Sequence, residues 1–428
     1  MKTLALTPWD ISHQQSGGTE RCYQLLTAIE DLTTFALSWD QQTYRGKLEH
    51  MPYQVIAADA KAVERAQKLF RQGIRSYDAM PTLCAEDLTT IRKAIDKYDP
   101  DLVILEHPWL VSIIGDRPYV LDAHNCETYS TMMRCGRNSL DFDLVQDIEQ
   151  TAVEGAEHIT YCSEIDWQML KSNWTVPNGT HIPNGTHLPA KHTTSKSRNL
   201  IFIGSMYQPN VDAAQTLANL AHQLPEYSIH LIGASSALVE TSAPNVIRHG
   251  HVDDKKLDAL LRDSHMLVNL VTDGSGTHLK VARCLAYGIP VVTTKIGSRG
   301  YEQTHITEIA GAPTLIRAIT ADWTRHHKTA VCSMSCTRSK SREFLPQRIM
   351  VEYVSQLWAS STNGLSPMSE MSHGCSSMTK SGSYLSMALR MVVRSSAQSV
   401  GIASYERMPC LNSLCARSTA LASAAMTW

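Results

Sequence analysis

Short apolar runs typical of β-strands alternate with helical patterns along most of the chain. The N-terminal run TLALTPW precedes a glycine turn and an amphipathic pattern, QQSGGTERCYQLLTAIEDL. The runs DLVILEHPWL, YVLDAHN and HITYCS repeat the strand pattern, and the helical segment VQDIEQTAVEGA separates the last two. Because strands that alternate with helices form mainly parallel sheets, this pattern predicts an α/β fold.

A polar segment interrupts the alternation. It reads NWTVPNGTHIPNGTHLPAKHTTSKSR, lacks apolar periodicity and contains the local repeat PNGTHI–PNGTHL. Beyond it, NLIFIGSM, SIHLIGA, NVIRHGHV and HMLVNLV resume the strand pattern, with helical patterns between them. We therefore predict two Rossmann-like, doubly wound domains joined by a linker.

The patterns divide the chain into five predicted segments. The first Rossmann-like domain covers residues 1–171, the linker 172–198 and the second Rossmann-like domain 199–342. The spacing of EFLPQRIMVEYVSQLW predicts a terminal helix over 343–358. The Ser-rich remainder, 359–428, has few acidic residues and no core pattern, so we expect it to be disordered.

Composition and charge exclude several classes of function. A formal net charge of -2 and a pI near 6.8 argue against a nucleic-acid partner. No apolar stretch reaches the ~18 residues of a membrane span, and MKTLALTPWDISH lacks the pattern of a signal peptide. Eleven irregularly spaced cysteines predict reduced thiols in a cytoplasm. The closest pair, Cys332 and Cys336, has no second cysteine pair nearby, which favours loop thiols over a metal site.

A glycine-rich turn leads into a helical pattern in DGSGTHLKVARCLAYGIPVVTT, residues 273–294. Unpaired N–H groups and the helix dipole at such a helix start attract phosphate. The spacing predicts that Gly276 and Thr277 supply N–H groups and that Lys280 supplies a cation. The alternative is a surface helix with an exposed lysine.

Candidate residues of the N-terminal half follow predicted strands. Gly17 and Gly18 precede a helix, where their backbone either approaches a ligand across a cleft or forms a tight packing turn. His107 and His124 follow strands whose carboxyl ends are the usual ligand-binding edge of a parallel sheet; structural histidines are the alternative. Arg21 lies in the first helical turn and either acts at the site or caps charge there.

Five motifs, in consistent order, resemble those of a known family. They are SGGTERCYQLL, LDAHNCE, IPNGTHL, FIGSMYQPNVDA and GSGTHLKVARCLAYGIPVVTTKIGSRG. Together they resemble the retaining glycosyltransferases of family 4 (glycosyl transferases group 1) over about residues 1–358. The resemblance implies the GT-B fold, with an acceptor-side N-terminal domain, a C-terminal domain that binds a nucleotide-sugar, and a cleft between them.

The resemblance also implies roles for residues. His124 and Lys280 are the expected catalytic residues, His124 near the transferred sugar and Lys280 at the leaving diphosphate, where a preorganised cation lowers the barrier. Gly17, Gly18 and His107 are assigned to the acceptor or phosphate loop. The expected donor-binding residues are Gly204, Ser205, Asp273, Gly274, Ser275, Gly276, Thr277, Lys280 and Arg283. Retaining enzymes of this kind use no cofactor beyond the nucleotide-sugar co-substrate, and no metal site is expected.

Arg283 departs from the family pattern. A glutamate three residues after the lysine accepts hydrogen bonds from the donor ribose in the resembled family, whereas arginine has donors only. Loss of such a charge-assisted hydrogen bond costs ~1.5–3 kcal/mol. The departure therefore predicts an impaired or altered donor site.

A basic amphipathic segment occupies residues 60–78, AKAVERAQKLFRQGIRSYD. Such a helix either lies on an anionic membrane, where lipid-linked acceptors are found, or presents a solvated face. We expect a cytoplasmic protein, with the inner face of a membrane as the site of any peripheral contact.

Three functions compete at this point. The first is transfer of a sugar from a nucleotide-sugar to a glycan, lipid-linked or other hydroxyl acceptor, with retention, in polysaccharide or glycoconjugate biosynthesis. The second is a catalytically impaired binding protein, suggested by Arg283. The third is a nucleotide-sugar epimerase on the same fold. A dinucleotide dehydrogenase is disfavoured because G-x-G-x-x-G does not follow the first strand.

Overall fold

The computed structural model describes residues 1–320 except 14–15, 41, 187–188, 190–196 and 302–305. The helix predicted at 343–358, the tail predicted at 359–428 and the Cys332–Cys336 pair lie outside the described residues, as does part of the predicted linker.

The N-terminal half contains an eight-stranded sheet. Its strands are β1 (Thr3–Thr7), β2 (Leu32–Ser38), β3 (Tyr44–Leu48), β4 (Met51–Ala57), β5 (Leu102–Glu106), β6 (Tyr119–Ala123), β7 (His158–Tyr161) and β8 (Gly179–His181). They lie in the order β3-β4-β2-β1-β5-β6-β7-β8, and all neighbours are parallel except the hairpin β3–β4. The order reverses at β1 and β5, and ligands bind at such a switch point in doubly wound sheets.

Seven α-helices accompany this sheet among the described residues. They are α1 (Gly17–Leu26), α2 (Ala60–Arg71), α3 (Met80–Leu83), α4 (Thr89–Tyr98), α5 (Glu127–Cys135), α6 (Leu140–Glu154) and α7 (Glu164–Asn173). Serine caps begin three of them: Ser16, Ser139 and Ser163 each accept a hydrogen bond from a backbone N–H of the first turn. Ser16 and Thr19 form a reciprocal capping box, which fixes the glycine turn that enters α1.

The C-terminal half contains a six-stranded, wholly parallel sheet. Its strands are β9 (Asn199–Ile203), β10 (Ser228–Ile232), β11 (Val246–Gly250), β12 (Met266–Asn269), β13 (Val291–Thr293) and β14 (Ile306–Glu308), in the order β11-β10-β9-β12-β13-β14. Its helices are α8 (Gln208–Asn219), α9 (Asp254–Arg262), α10 (Leu279–Ala286) and α11 (Ala312–Thr320). Numbered within this half, the strand order is 3-2-1-4-5-6, the Rossmann order. The predicted α/β fold with two Rossmann-like halves is confirmed.

The central strands of both sheets are buried on both faces, as is usual for parallel sheets. Every residue of β1, β5 and β6 is buried. Alternate residues face different cores: Leu4 and Leu6 pack in one cluster, and Ala5 packs with Ile104 in the other. This burial makes the strand ends rigid supports for the loops that follow them.

Three elements differ in extent from their sequence patterns. Strand β8 lies inside the segment predicted as a linker, where it pairs with β7. Helix α2 ends at Arg71, well before residue 78. Helix α10 begins at Leu279, so Gly276 and Thr277 precede it and Lys280 is its second residue. No helix among the described residues is long and apolar enough to cross a membrane.

Candidate active site

The loops after β1, β5 and β6 meet the C-terminal half at a cavity of about 410 Å³. From the N-terminal half, Gly17, Gly18, His107 and His124 line it, and from the C-terminal half Ser205, Tyr207, Thr277 and Leu279. Six of these eight residues are among those predicted from the sequence. The cavity is therefore formed by both Rossmann-like halves at the carboxyl ends of the strands, the usual ligand site of such sheets.

Gly18 forms part of the cavity wall. A Cβ atom added there would lie 3.2 Å from Trp9 Cζ2, 3.6 Å from His107 Nε2 and 3.8 Å from His124 Nδ1. A Cβ on Gly17 would meet Leu279 Cδ1 at 3.3 Å, across the two halves. The two glycines therefore leave room for a ligand beside the histidines.

His124 is the centre of a buried ionic network. Its Nε2 lies 2.8 Å from Glu106 Oε2 and 3.1 Å from Asp122 Oδ2. Burial opposes the charged ring, but the hydrogen bonds to Asp122 and Glu106 prevail and raise its pKa above the ordinary value. The two acidic neighbours therefore favour the protonated form of His124, which directly follows β6 next to the cavity.

Arg21 completes this network. It donates two hydrogen bonds to the Asp122 carboxylate, at 2.9 and 2.7 Å, and both side chains are almost fully buried. Its Nη1 donates to the Ile182 carbonyl at 2.9 Å and to Asn184 Oδ1 at 2.7 Å. Arg21 is thus a buried organising residue rather than a cap on an exposed helix face.

His107 is held in a different state from His124. Its φ of 62° is unusual for a residue with a side chain, and Glu127 Oε1 fixes its Nδ1 at 2.9 Å. Burial and the neighbouring His124 charge lower its pKa to about 4, so the ring is neutral at pH 7. With Nδ1–H donating to Glu127, Nε2 is an acceptor, and it has no partner among the described residues. That nitrogen is available to a ligand hydroxyl beside Gly18.

The glycine turn of the C-terminal half packs against the loop after β6. Gly276 has φ of +66°, and its N–H donates to Asp166 Oδ2 at 3.0 Å. A Cβ on Gly276 would lie 2.3 Å from Asn125 Oδ1 and 2.9 Å from the His124 carbonyl oxygen. In this conformation the Gly276 amide binds Asp166, while Thr277 lines the cavity.

Lys280 lies beside the cavity rather than in its lining. Its Nζ donates to Asn210 Oδ1 at 2.7 Å and lies 4.6 Å from the centre of the Phe202 ring. Burial lowers its pKa to about 7. The ammonium is therefore half-charged near neutral pH and poised to gain charge beside an anion.

Arg283 is neutralised by a partner on the opposite half. Its Nη2 lies 2.9 Å from Glu20 Oε1, and Glu20 is buried on α1. The positive charge of Arg283 is thus compensated by a carboxylate that the sequence pattern did not single out. The pair also joins α10 to α1.

The remaining predicted donor residues occupy the loops around these elements. Gly204 follows β9 and packs so closely on Ser235 that a Cβ would lie 2.6 Å from its Oγ. Ser205, next to it, lines the cavity. Asp273 accepts the Gly274 N–H at 2.7 Å, and the Gly274 carbonyl accepts from Arg299 at 3.2 Å. Ser275 lies within the same turn and is partly buried.

Sequence reasoning missed several residues of the site. Trp9 and Asp78 line the cavity, and Asn184 bridges the halves by accepting from Arg21 and donating to Thr277 Oγ1 at 2.5 Å. Asn184 belongs to the second PNGTH copy, so the repeat was the available signal. Trp9 lies in a loop and Asp78 in the short 3-10 helix Tyr77–Ala79, and no local sequence pattern indicates that either lines the cavity.

Cys22, Glu106 and His124 place potential metal-ligand atoms within 4.8 Å of one another, the one such group among the described residues. The Cys22 thiol donates to Glu106 Oε2 at 3.3 Å. Burial and the Glu106 charge raise the thiol pKa well above its usual value, whereas a metal requires the thiolate. In this structure the three side chains form a hydrogen-bonded network.

Comparisons with known proteins agree with this architecture. Residues 197–321 match the family model described as Glycosyl transferases group 1. No curated protein sequence matches the chain. Similar folds occur in a sucrose-phosphate synthase from Thermosynechococcus elongatus, with a TM-score of 0.63, 14% identity, and coverage of 84% of this chain and 100% of that one.

Two further structures are similar. Anabaena HepE in complex with UDP and glucose has a TM-score of 0.57 and 12% identity, covering 85% of this chain and 100% of that one. A trehalose-phosphate synthase (UDP-forming) from Burkholderia xenovorans, in complex with glucose-6-phosphate, has a TM-score of 0.52 and 11% identity, covering 78% and 96%. The chain has the GT-B fold. The domain match supports a glycosyltransferase.

Proposed function

We propose that this protein transfers a sugar from a nucleotide-sugar to an acceptor hydroxyl, with retention of configuration. The observation that supports the proposal is the cavity between the two Rossmann-like halves, which is lined by Gly18, neutral His107 and His124 on one side and by Thr277 and Ser205 on the other. The family match of residues 197–321 supports the transfer of a glycosyl group.

The chemistry follows from the charges around this cavity. A departing nucleoside diphosphate gathers negative charge, and Lys280, at the start of α10, provides a cation whose pKa near 7 rises as that charge develops. The dipole of α10 acts in the same direction. His124 stabilises oxygen atoms of the transferred sugar, and His107 Nε2 accepts a hydrogen bond from a hydroxyl. This mechanism assigns no protein nucleophile and uses no metal or further cofactor.

The test is a thermal-shift screen of the full chain against UDP, GDP and ADP, followed by incubation with the corresponding sugar nucleotides. Stabilisation by one diphosphate and release of that diphosphate from its sugar nucleotide are expected. Anomeric NMR signals of the product then test retention. If no nucleotide binds and no sugar nucleotide is consumed, the proposal is wrong.

A second candidate is a binding protein without catalytic activity. Two observations favour it: the Gly276 N–H is bonded to Asp166, and Arg283 stands where the resembled family has glutamate, paired with Glu20. Diphosphate binding without turnover of any sugar nucleotide supports this candidate. Release of an altered sugar nucleotide with no acceptor present supports the epimerase alternative instead.

Contact with an anionic membrane stays a proposal for α2. Lys61, Lys68 and Arg71 lie on its exposed side, but Val63 and Leu69 pack against the core. An electrostatic contact fits this arrangement better than insertion of an apolar face. Co-sedimentation with vesicles containing phosphatidylserine, lost at high salt, is the expected result; no sedimentation at low salt contradicts it. We place such contact at a cytoplasmic membrane face, where polysaccharide or glycoconjugate acceptors are lipid-linked.

A further inference from the structure

A second cavity of about 280 Å³ lies in the N-terminal half, next to the first. It is formed where β1 and β2 end and by the short 3-10 helix Tyr77–Ala79. Its lining includes three aromatic and three acidic residues: Trp9, Trp39, Tyr77, Asp10, Asp40 and Asp78. Trp9 and Asp78 line both cavities, so the two spaces adjoin where the acceptor must meet the transferred sugar.

The aromatic residues give this second cavity the character of a carbohydrate site. Trp39 and Tyr77 are in edge contact, with ring centroids 6.2 Å apart, and Trp9 contacts His107 with centroids 5.0 Å apart. Rigid aromatic rings of this kind offer flat apolar surface to the C–H faces of a sugar, while their polar atoms remain for hydroxyl groups.

The charged side chains that line this second cavity are all acidic. Asp10, Asp40 and Asp78 contribute three carboxyl groups, and the residues that line this cavity include no lysine, arginine or histidine. Asp10 accepts hydrogen bonds from Tyr44, Tyr53 and the Ser12 amide. These bonds outweigh the effect of burial and hold the pKa of Asp10 below its ordinary value. A phosphate or carboxylate placed here would be repelled, because like charges at close range in a partly buried site interact strongly.

Two polar groups at the junction of the cavities have no hydrogen-bond partner among the described residues. The Trp9 Nε1–H is buried without a hydrogen-bond acceptor among the described residues. Asp78 is partly buried, and within the described chain its carboxyl group has no hydrogen bond or ion pair; burial and the nearby Glu127 raise its pKa to about 6. A hydroxyl group, such as that of a sugar, accepts a hydrogen bond from the Trp9 Nε1–H and donates one to the Asp78 carboxylate.

We propose that this second cavity binds the accepting sugar, that this sugar bears no phosphate or carboxylate, and that Asp78 and Trp9 hold its hydroxyl groups at the junction with the donor cavity. The inference rests on the proposed function and narrows it: the acceptor unit is a neutral or amino sugar, not a sugar phosphate. Asp78 acts as a specificity-determining residue.

The test measures sugar binding to the full chain by saturation-transfer NMR, without any donor. The probes are methyl α-glucoside, methyl α-mannoside, methyl α-galactoside and methyl glucosaminide, with glucose 6-phosphate for comparison. Saturation of at least one methyl glycoside is expected, with at least tenfold weaker binding of the phosphate. D78N should reduce the glycoside signal at least tenfold, whereas D116N, at an exposed aspartate elsewhere in the same half, should leave it unchanged.

A charge reversal provides a second measurement that does not depend on a buried substitution. Asp40 is exposed at the cavity rim, so D40K is expected to fold and to strengthen glucose 6-phosphate binding relative to the glycosides by about tenfold. Equal or tighter binding of glucose 6-phosphate to the native protein, absence of any glycoside signal, or an unchanged signal in D78N would overturn the inference.

Failure of the inference and failure of the proposed function have different signatures. If sugar nucleotides are consumed but only a sugar phosphate accepts the sugar, the glycosyltransferase proposal stands and the acceptor assignment is wrong. If the methyl glycosides bind through Asp78 but no nucleotide binds, the sugar site stands and the transfer reaction is wrong.

Discussion

Arg21 and Asp122 form a buried ion pair that supports the histidine site. Removal of the guanidinium in R21M leaves Asp122 buried without its strongest partner, which costs about 3–5 kcal/mol of unfolding free energy. Urea unfolding checks this value. R262M removes the exposed Arg262–Asp258 pair of α9 and is expected to change stability little. Similar losses in the two variants would contradict a special role for the buried pair.

Lys280 gives the donor site a predicted pH dependence. Its pKa of about 7 means that the ammonium is charged below pH 7 and neutral above, so diphosphate affinity should fall as pH rises. Between pH 7 and 8 the charged fraction falls from one half to roughly a tenth, which predicts about fivefold weaker binding. Isothermal titration calorimetry with the diphosphate identified by the thermal-shift screen measures this change in affinity.

The matched control is K280R, which keeps its charge over this range. A flat profile in K280R beside a falling one in the native protein is expected. The same slope in both proteins would assign the pH dependence to another group.

A site residue was predictable from the sequence where it belongs to a local motif. It was less predictable where its position depends on contact with a residue distant in the chain. The glycines at 17 and 18 and the histidine after β6 stand at motif positions, and the structure brings them to one cavity. Asp122 and Arg21 lie 101 residues apart in the chain, and their contact depends on how β6 and α1 pack. The sequence around either residue does not indicate that the two side chains pair.

At the scale of elements, the first turn of α1, which begins with Gly17 and Gly18 and so contains the glycines predicted to precede a helix, decides how closely a ligand approaches. G18A adds a good helix former, so α1 should keep its stability, but the new methyl group meets Trp9 at 3.2 Å. We expect a melting temperature within a few degrees of native and at least tenfold weaker diphosphate binding. G46A, where an added Cβ meets no atom within 4 Å, is the control for the substitution itself. Unchanged binding in G18A would remove this turn from the site.

The PNGTH repeat shows why element boundaries resist prediction from sequence. In the first copy Gly179–His181 form β8, and Gly179 lies so close to the Trp167 ring that a Cβ would be 2.6 Å away. In the second copy Asn184 bonds Arg21 and Thr277 instead. The Gly-Thr pair lies in a strand in the first copy and outside any strand in the second, because the neighbours of the two copies differ. Strands such as β5 were predictable because burial on both faces requires a continuous apolar run.

At the scale of the whole described chain, few polar contacts hold the two Rossmann-like halves together. Glu20 pairs with Arg283, Asp166 accepts from the Gly276 amide, and Asn184 donates to Thr277. The general fold was predictable because strand and helix patterns are local. The relation of the halves was not predictable, because it depends on these pairs between distant segments. The Glu20–Arg283 pair also shows that Arg283, which departs from the pattern of the resembled family, has a charge partner in the N-terminal half.

Variants of the Glu20–Arg283 pair test this compensation. Restoring the family residue with R283E places a second carboxylate beside buried Glu20, so R283E alone should lose roughly 1–3 kcal/mol of stability and bind the diphosphate no better. The double variant E20Q/R283E removes that repulsion while keeping a carboxylate available to the ribose, and it should recover stability and bind the diphosphate more tightly than the native protein. E20Q alone is the control, since it breaks the pair without adding an acceptor. Thermal unfolding and diphosphate titration of the three variants test these expectations. If R283E alone binds the diphosphate more tightly than the native protein, Glu20 does not compensate Arg283. If the double variant gains no affinity for the diphosphate, residue 283 does not contact the ribose.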